Sequence, residues 1–497
     1  MRRPLHLLLA ATLSLSALAA AAGPAHALSC NAANHVLGDL DSDGIADVVV
    51  GVPEYDDARG AVDISFSTGV RKFLTVDMLG LPASAPGDRF GAAVAVHDLD
   101  MNGCDDLVVG APGRNSSAGA VYLARGVPSS DLSGGRVEYS PVAHGSFGAS
   151  LAILAPEHWN GSEYVRSDQQ LVVGAPTADD SGRSEAGAVY VYQMMAGDDT
   201  LSDVVKLTQN SAGVPGTSES FDRWGTVLAG WKRTIAVGAP DEAVGTRAGA
   251  GAVTFLTSTR ANPVTFAGVG ITQDSAGVPG TAEAGDHFGA SLAMLAGYVA
   301  IGTPDENLGT ARDTGVVQLG RYTEGTRTFT ATRALSQDSA GIPGSNESGD
   351  HFGAAVALVN NLHEQTSVAV GAPGENVGSV VDAGAVTLVR VNGTPTLPGI
   401  TLTQNSAGIP DIVQAGDRFG AALGALPGDL DDGEGMIDGL AIGAPGEDLG
   451  AISDPGAVTF TRGLPTWHQL VLEDTGGPIP AEVGFGSVLA APGATAH

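Results

Sequence analysis

The stretch GDHFGASLAMLAGYVAIGTP, residues 285–304, decides how this chain folds. An aromatic-glycine step, Phe288-Gly289, opens a run of small residues from Ala290 to Leu295. A second apolar run, Tyr298 to Ile301, ends at Gly302-Thr303-Pro304. Short apolar runs bounded by glycine and proline favour two β-strands joined by a tight turn.

Both steps recur along the chain in the same order. The Gly-x-Pro steps begin at Gly51, Gly110, Gly174, Gly238, Gly302, Gly371 and Gly443, with spacings of 59, 64, 64, 64, 69 and 72 residues. The aromatic-glycine steps begin at Phe90, Phe147, Trp224, Phe288, Phe352, Phe419 and Phe485. A period of this length indicates a repeat architecture.

Each unit contains two further strand signals. Gly-Ala-Val begins at Gly60, Gly119, Gly187, Gly251, Gly384 and Gly456, and Gly-Val-Val begins at Gly315. A fourth apolar run, from Phe329 to Ala334, completes the example unit. Four strands in each of seven units predict an all-β fold, a seven-bladed β-propeller of four-stranded antiparallel blades. A linear solenoid is the alternative, but it needs polar caps that the sequence does not show.

The two ends of the repeat favour a closed ring. No aromatic-glycine step precedes the Gly-x-Pro step at Gly51, and no Gly-x-Pro step follows Phe485-Gly486. Each end of the repeat therefore lacks one of the two steps of a unit. This predicts that the N- and C-terminal segments together complete one blade and close the ring. The segment from Asn31 to Leu37 also aligns with a first strand, so either end can fill that place.

The ordered repeat resembles the FG-GAP repeats of the integrin α-subunit propeller and its bacterial relatives, over about residues 31 to 490. Seven ordered copies are specific for the fold, but they are not specific for a ligand. The resemblance implies a role in adhesion or extracellular recognition. It also implies calcium in acidic loops between the first and second strands of a blade.

Three acidic loops are candidates for calcium, with a structural role and about two to three ions. Hard oxygen ligands on alternate residues of a tight loop suit Ca²⁺. Loop 1 offers Asp39, Asp41, Asp43, the Ile45 carbonyl and Asp47, and loop 2 offers Asp98, Asp100, Asn102, the Cys104 carbonyl and Asp106. The third, weaker set is Asp429, Asp431 and Asp438, which is one residue longer. The alternative is a solvated Asp/Gly turn without metal.

Strand alternation divides the loops between two faces. The loops joining strands 1–2 and 3–4 define the 1–2 face, and the loops joining strands 2–3 and 4–1 define the 2–3 face. In the integrin family the face opposite the calcium loops contacts ligands, so the 2–3 face is the predicted partner surface. Its candidate residues are Asp241, Glu242, Asp305, Glu306, Glu375, Glu447 and Asp448. The alternative is that these loops only solvate the ring.

The charge balance restricts the partners. The formal net charge is −31, with 24 basic against 55 acidic side chains. Such a field opposes nucleic acids and anionic membranes and favours cations or basic surfaces. We expect a monomer that binds an extracellular protein or glycan.

The N-terminus predicts export. Arg2 and Arg3, the apolar run Leu7 to Ala22 and the small-x-small step Ala25-His26-Ala27 indicate a signal peptide over residues 1–27, which leaves 28–497 as the propeller. A retained membrane anchor fits poorly because the apolar run is short, and a lipoprotein fits poorly because Ala27-Leu28-Ser29 is a weak lipobox. No later run of 18 apolar residues predicts a membrane span. In an oxidising compartment, Cys30 and Cys104 predict one disulfide.

Catalytic motifs are absent from the sequence: it contains no Gly-x-Ser-x-Gly, His-Glu-x-x-His or Walker-type loop. His287 and His351 occupy the repeat position of Arg89, Arg223 and Arg418, which favours a structural role. The sequence therefore favours a secreted, non-enzymatic calcium-binding propeller. The alternative is an extracellular hydrolase or lyase acting on polysaccharide or another polymer, and residues that break the seven-fold pattern at the central opening would support it.

Overall fold

A computed structural model describes residues 30, 36–126, 132–155, 157–159, 164–166, 169–194, 201–259, 264–361, 365–391, 398–427, 438–450, 452–462, 466–472 and 483–492. These residues form seven four-stranded antiparallel blades in a ring, which confirms the predicted β-propeller. The first strands of neighbouring blades contact each other and line the centre of the ring. The predicted signal peptide lies outside the described residues.

Blades 1 to 3 contain the first thirteen strands. Blade 1 has β1 (Val48–Val52), β2 (Ala61–Ser65) and β3 (Arg71–Leu74), followed by a 3-10 helix (Val76–Leu79). Blade 2 has β4 (Ala93–His97), β5 (Asp106–Ala111), β6 (Ala120–Arg125) and β7 (Ser133–Tyr139). Blade 3 has β8 (Ser150–Leu154), an inserted hairpin of β9 (Glu157–Trp159) and β10 (Tyr164–Arg166), then β11 (Gln169–Ala175), β12 (Ala188–Met194) and β13 (Ser202–Leu207).

Blades 4 to 7 follow the plain four-stranded pattern. Blade 4 has β14 (Val227–Trp231), β15 (Thr234–Ala239), β16 (Ala252–Ser258) and β17 (Phe266–Ile271). Blade 5 has β18 (Ser291–Leu295), β19 (Tyr298–Thr303), β20 (Val316–Thr323) and β21 (Thr328–Leu335). Blade 6 has β22 (Ala355–Asn361), β23 (Gln365–Ala372), β24 (Ala385–Arg390) and β25 (Ile400–Leu402). Blade 7 has β26 (Ala422–Leu426), β27 (Gly439–Ala444), β28 (Ala457–Thr461) and β29 (His468–Val471). Two short strands follow, β30 (Val488–Leu489) and β31 (Ala491–Pro492), and β31 pairs in parallel with β4 of blade 2.

The repeated glycines form the joints between blades. The Phe288 N–H of blade 5 donates to the Ala250 carbonyl of blade 4 at 3.1 Å. A Cβ added at Gly251 would lie 2.4 Å from the Phe288 backbone, and one added at Gly238 would lie 2.5 Å from the Gly289 carbonyl. Because a real Cβ does not approach backbone this closely, these positions require glycine. The Gly-x-Pro and Gly-Ala-Val steps therefore mark where the next blade packs.

Aromatic side chains fill the space between blades. The aromatic residue of every aromatic-glycine step is fully buried. Phe288 packs among Val253 and Phe255 of blade 4 and Val299 of blade 5. Burying such a ring removes a large apolar area from water. The hydrophobic core consequently lies between the blades.

The C-terminal segment closes the ring. β30 pairs antiparallel with β1, with Leu489 opposite Val50, and so supplies the first strand of blade 1. The Phe485 N–H donates to the Pro455 carbonyl of blade 7 at 2.9 Å, repeating the joint found elsewhere. The sequence left two segments as candidates for the first strand of blade 1, and the C-terminal one pairs with β1. The predicted Cys30–Cys104 disulfide is present, and the described residues include no helix long and apolar enough to cross a membrane.

Candidate metal centre and the opposite loop face

Loop 1 lies on the 1–2 face, immediately before β1. Asp39 accepts hydrogen bonds from the N–H groups of Asp43, at 3.1 Å, and Gly44, at 2.7 Å. Asp47 accepts from the Leu40 N–H at 2.9 Å and from the Ser67 N–H at 3.0 Å. Gly44 has φ +91°, a conformation that costs glycine little. The backbone thus turns sharply and directs alternate carboxylates to one side.

Loop 2 repeats this geometry before β5. Asp98 accepts from the N–H groups of Asn102, at 2.9 Å, and Gly103, at 3.0 Å. Asp106 accepts from the Leu99 N–H at 3.0 Å and from the Gly126 N–H at 3.0 Å. Gly103 has φ +91°, as Gly44 does. The backbones of the two loops therefore make the same turn, held by equivalent hydrogen bonds.

The carboxylates of both loops converge. Ligand oxygens of Asp39, Asp41 and Asp43 lie within 4.8 Å of one another, and so do those of Asp98, Asp100 and Asp106. These two groups are the ones found among the described residues. Most of their members are buried; Asp43 is exposed. The structure thus brings together three of the predicted side-chain ligands in each loop.

The electrostatics of the loops fit a bound cation. Burial, together with the charges of neighbouring aspartates, raises the pKa of Asp47 to about 8 and that of Asp106 to about 8. The buried Asp41 Oδ1 has no hydrogen-bond partner among the described residues. Carboxylates crowded in this way repel each other unless a cation or a proton sits between them. The hard oxygen donors suit Ca²⁺.

Two neighbours of loop 1 were not found from the sequence. Arg462 of blade 7 donates to the carbonyls of Ala46, at 3.0 Å, and Ser65, at 3.1 Å, and its charge acts on the loop carboxylates. The Ser67 hydroxyl donates to Asp43. Arg462 is 416 positions from Ala46, so no local pattern signals the contact.

The third acidic set is only partly described. Asp429 and Asp431 lie outside the described residues. Asp438 accepts a hydrogen bond from the Asn360 N–H at 2.6 Å and therefore joins blade 7 to blade 6. Metal binding by this set stays a prediction.

On the 2–3 face, four of the predicted partner residues pair with glutamines. Each glutamine amide donates to the glutamate of the following blade, and we call these pairs the Gln–Glu joints. They are Gln209–Glu242, Gln273–Glu306, Gln337–Glu375 and Gln404–Glu447. Burial raises the pKa of the first three glutamates to about 7 and that of Glu447 to about 8. These glutamates connect a 4–1 loop to the next 2–3 loop.

A row of charged side chains lies on the 2–3 face, close to the ends of the inner strands. Asp305 lies between two histidines from neighbouring blades, 2.6 Å from His287 Nδ1 and 2.9 Å from His351 Nδ1. Asp241 lies 3.7 Å from His287 Nε2 and 3.4 Å from Arg223 Nη1. We call these five residues the charged arc. The hydrogen bond to Asp305 raises the pKa of both histidines.

The charged arc breaks the seven-fold pattern. Burial acts to raise the pKa of Asp305, but hydrogen bonds from the two histidines lower it overall. Glycine occupies the position of Asp241 and Asp305 in blades 2, 6 and 7, at Gly113, Gly374 and Gly446. Blade 1 has Glu54 at this position, where it forms an ion pair with Arg89, and blade 3 has Thr177, so the two aspartates of the charged arc occur in the adjacent blades 4 and 5. Asp448, the remaining predicted partner residue, accepts from the Asp454 N–H at 3.0 Å.

Phe221 is a second departure from the repeat. It is 56% exposed and has φ +73°. Its N–H donates to the Ser184 carbonyl, as the Gly285 N–H donates to the Ala248 carbonyl, so the two positions are equivalent. Four of the other steps have a glycine with positive φ at this position: Gly87, Gly285, Gly349 and Gly416. A left-handed backbone costs a residue with a side chain about 1–2 kcal/mol, and such strain clusters at functional sites.

A model of the FG-GAP repeat matches residues 90–123, from the Phe90 joint to strand 3 of blade 2. The chain is an FG-GAP repeat protein. This FG-GAP protein is 28% identical to "Integrin alpha pat-2" of Caenorhabditis briggsae over 232 residues, which are 44% of the chain and 18% of that relative. It is 28% identical to "Integrin alpha-5" of Xenopus laevis over 176 residues, which are 32% of the chain and 15% of that relative.

One of the relatives is named as an enzyme. The FG-GAP protein is 32% identical to "Phosphatidylinositol-glycan-specific phospholipase D" of Bos taurus over 168 residues, which are 31% of the chain and 19% of that relative. The chain spans less than a fifth of the length of these three curated relatives. The similarity therefore shows an integrin-α-like FG-GAP propeller. The activity and the partners of the chain must be inferred from the geometry of its site.

Proposed function

We propose that this FG-GAP protein is a secreted, calcium-stabilised propeller that recognises an extracellular protein or glycan through its 2–3 face. The observation that carries the proposal is the chemical division between the faces. The matched acidic loops lie on one face, whereas the charged arc and the exposed, strained Phe221 lie on the other. Its integrin α relatives make recognition the favoured role.

Calcium has a structural role in this proposal. Asp39, Asp41 and Asp43 would hold one ion in loop 1, and Asp98, Asp100 and Asp106 would hold a second in loop 2. A bound ion relieves the repulsion between carboxylates that face one another. At a free concentration of a hundred times the dissociation constant, each ion adds roughly 2.7 kcal/mol to the free energy of unfolding.

The test of the calcium role is thermal unfolding of the full chain. We expect Ca²⁺ to raise the Tm of the wild type and to leave the Asp41→Ala plus Asp100→Ala variant unchanged. A variant with Asp56→Ala plus Asp57→Ala, in the acidic turn of the 2–3 face, is the matched control and should respond as the wild type does. An equal calcium shift in the loop variant would defeat the metal assignment.

The test of recognition is binding to an array of extracellular matrix proteins and glycans in calcium. Exposed aromatic side chains are frequent anchors at protein interfaces. We therefore expect Phe221→Gly to weaken binding at least fivefold without lowering the Tm. Val204→Ser, which removes an exposed apolar side chain from β13, is the control. Unchanged binding by the Phe221→Gly variant would show that Phe221 is not part of the partner surface.

The charged arc supports a second candidate, an extracellular hydrolase or lyase acting on a polymer. A histidine held by a carboxylate is a common general base, and this one sits where the repeat is broken. Hydrolysis of a glycan or ester panel, lost in His287→Arg, would support this candidate. Because arginine occupies the same position in sister blades, the substitution is compatible with the fold.

A further inference from the structure

Two contacts join loop 1 directly to loop 2. The Gly38 N–H, next to Asp39, donates to the carboxylate of Asp105. Asp105 is fully buried and lies between the predicted ligands Cys104 and Asp106. Ser42 Oγ, between Asp41 and Asp43, lies 3.1 Å from Cys104 Sγ. Each contact therefore connects a residue beside the predicted ligands of loop 1 to a residue that is, or neighbours, a predicted ligand of loop 2.

The disulfide adds a third connection. Cys104 belongs to loop 2, and its partner Cys30 precedes Asp39 by nine positions. The chain entering loop 1 is thus covalently attached to loop 2. A crosslink of this kind restricts the conformations that the two segments can adopt independently.

We propose that loops 1 and 2 form one coupled calcium-binding unit, in which Asp105 is the positioning residue that transmits order between them. This inference rests on the proposed calcium sites. An ion in loop 1 fixes the backbone at Asp39 and Asp41, and through Gly38 and Ser42 it holds the 104–106 segment in place. The ordering cost for the second ion is then already met, so the second ion binds more tightly.

The sign of the effect identifies its cause. Two bound dications repel each other, so a purely electrostatic interaction would make the second ion bind more weakly. Positive coupling therefore requires the connection through the protein. By linkage, each ion must strengthen the other by the same factor.

Calcium titration calorimetry on the full chain measures this coupling. Asp41→Ala leaves loop 2 alone, and Asp100→Ala leaves loop 1 alone. We expect the overall two-ion association constant of the wild type to exceed the product of these two single-loop constants by about tenfold. A product equal to or greater than the wild-type value overturns the coupling and leaves the calcium sites in place.

Removing the connection should remove the excess. We expect Asp105→Ala to bring the tenfold excess close to onefold, measured with its own pair of single-loop variants. Ser42→Ala, a milder change in a partly exposed residue, should lower it and keeps the test valid if Asp105→Ala does not fold. Ser116→Ala is the control, because Ser116 has φ +59° against +61° for Ser42 and lies on the 2–3 face. An excess unaffected in Ser42→Ala and Asp105→Ala would overturn the role of Asp105.

The same titration separates this inference from the proposed function. A folded wild type that binds no calcium defeats the calcium sites themselves. Two independent binding events defeat only the coupling. Near-ultraviolet circular dichroism of each variant in EDTA provides the folding control.

Discussion

Blades 1 and 2 and blades 4 to 7 make the same glycine contact with the next blade, but their buried acidic residues lie in different places. Blades 1 and 2 gather aspartates in loops 1 and 2, on the 1–2 face. Blades 4 to 7 hold their glutamates in the Gln–Glu joints on the 2–3 face, where each meets an amide donor. The repeat thus fixes the contact between blades and leaves the loops free to diverge.

The difference sets what each region depends on. In loops 1 and 2, several carboxylates face one another, so a bound cation or a proton would relieve their repulsion. In the Gln–Glu joints, a single carboxylate faces an amide, and its protonation state decides the electrostatic cost of burial. We expect blades 1 and 2 to respond to calcium and blades 4 to 7 to respond to pH.

Calcium removal is the sharpest way to separate the two regions. At a hundred times the dissociation constant, each ion contributes roughly 2.7 kcal/mol, so both loops together give the largest expected effect. Amide hydrogen exchange in EDTA should accelerate in β1, β2, β4 and β5, with blades 4 to 6 much less affected. Uniform acceleration around the ring would show that the blades do not differ in this way.

The glycines at the contacts between blades should be equally important for stability in both regions. A Cβ at Gly110 of blade 2 would lie 2.0 Å from the Gly148 carbonyl, and one at Gly371 of blade 6 would lie 2.0 Å from the Gly420 carbonyl. We expect Gly110→Ala and Gly371→Ala each to lower the free energy of unfolding by about 3 kcal/mol in urea. Gly325→Ala is the control, because no atom lies within 4 Å of its Cβ. Clearly unequal losses would mean that the joint is not shared.

The Gln–Glu joints predict an effect of pH at saturating calcium. Their glutamates have pKa values raised to about 7 to 8, against about 4.3 in the unfolded chain. Protonation therefore favours the folded state: this contribution is fully present below about pH 4.3 and is lost as the pH rises through 7 to 8. The raised histidine pKa values of the charged arc act in the same direction.

We expect the Tm to fall between pH 6 and 9, with a loss of about 1–3 kcal/mol in the free energy of unfolding at each joint. Glu447→Gln should reduce the slope, since its amide cannot titrate. Glu54→Gln, at a glutamate that pairs with the exposed Arg89, is the control. A Tm that rises over this range would contradict the assigned role of the joints.

Phe221→Gly gives the smallest expected change, and its sign is informative. Glycine adopts φ +73° without steric cost, so we expect the free energy of unfolding to rise by about 1 kcal/mol. Gly285→Ala, at the equivalent position of the next blade, should show the reverse change. Destabilisation by Phe221→Gly would show that the phenylalanine packs within the protein and is not held for a partner.

Much of the fold could be predicted because its signals are local and repeated. Phe288-Gly289 and Gly302-Thr303-Pro304 mark strand ends wherever they occur, and their seven-fold recurrence gives the number of blades. Loops 1 and 2 were recognisable because their carboxylates alternate within nine residues. The departure at Phe221 was also present in the sequence, as a phenylalanine where four sister repeats have glycine.

The sequence by itself determined the propeller, its seven blades and the two acidic loops, because each depends on residues close together in the chain. Only the tertiary structure decided that Leu489 pairs with Val50, that Asp105 binds Gly38, and that His287 and His351 share Asp305. These partners are distant in sequence, and no short-range period encodes them. They meet because closing the ring fixes which loops of neighbouring blades come into contact.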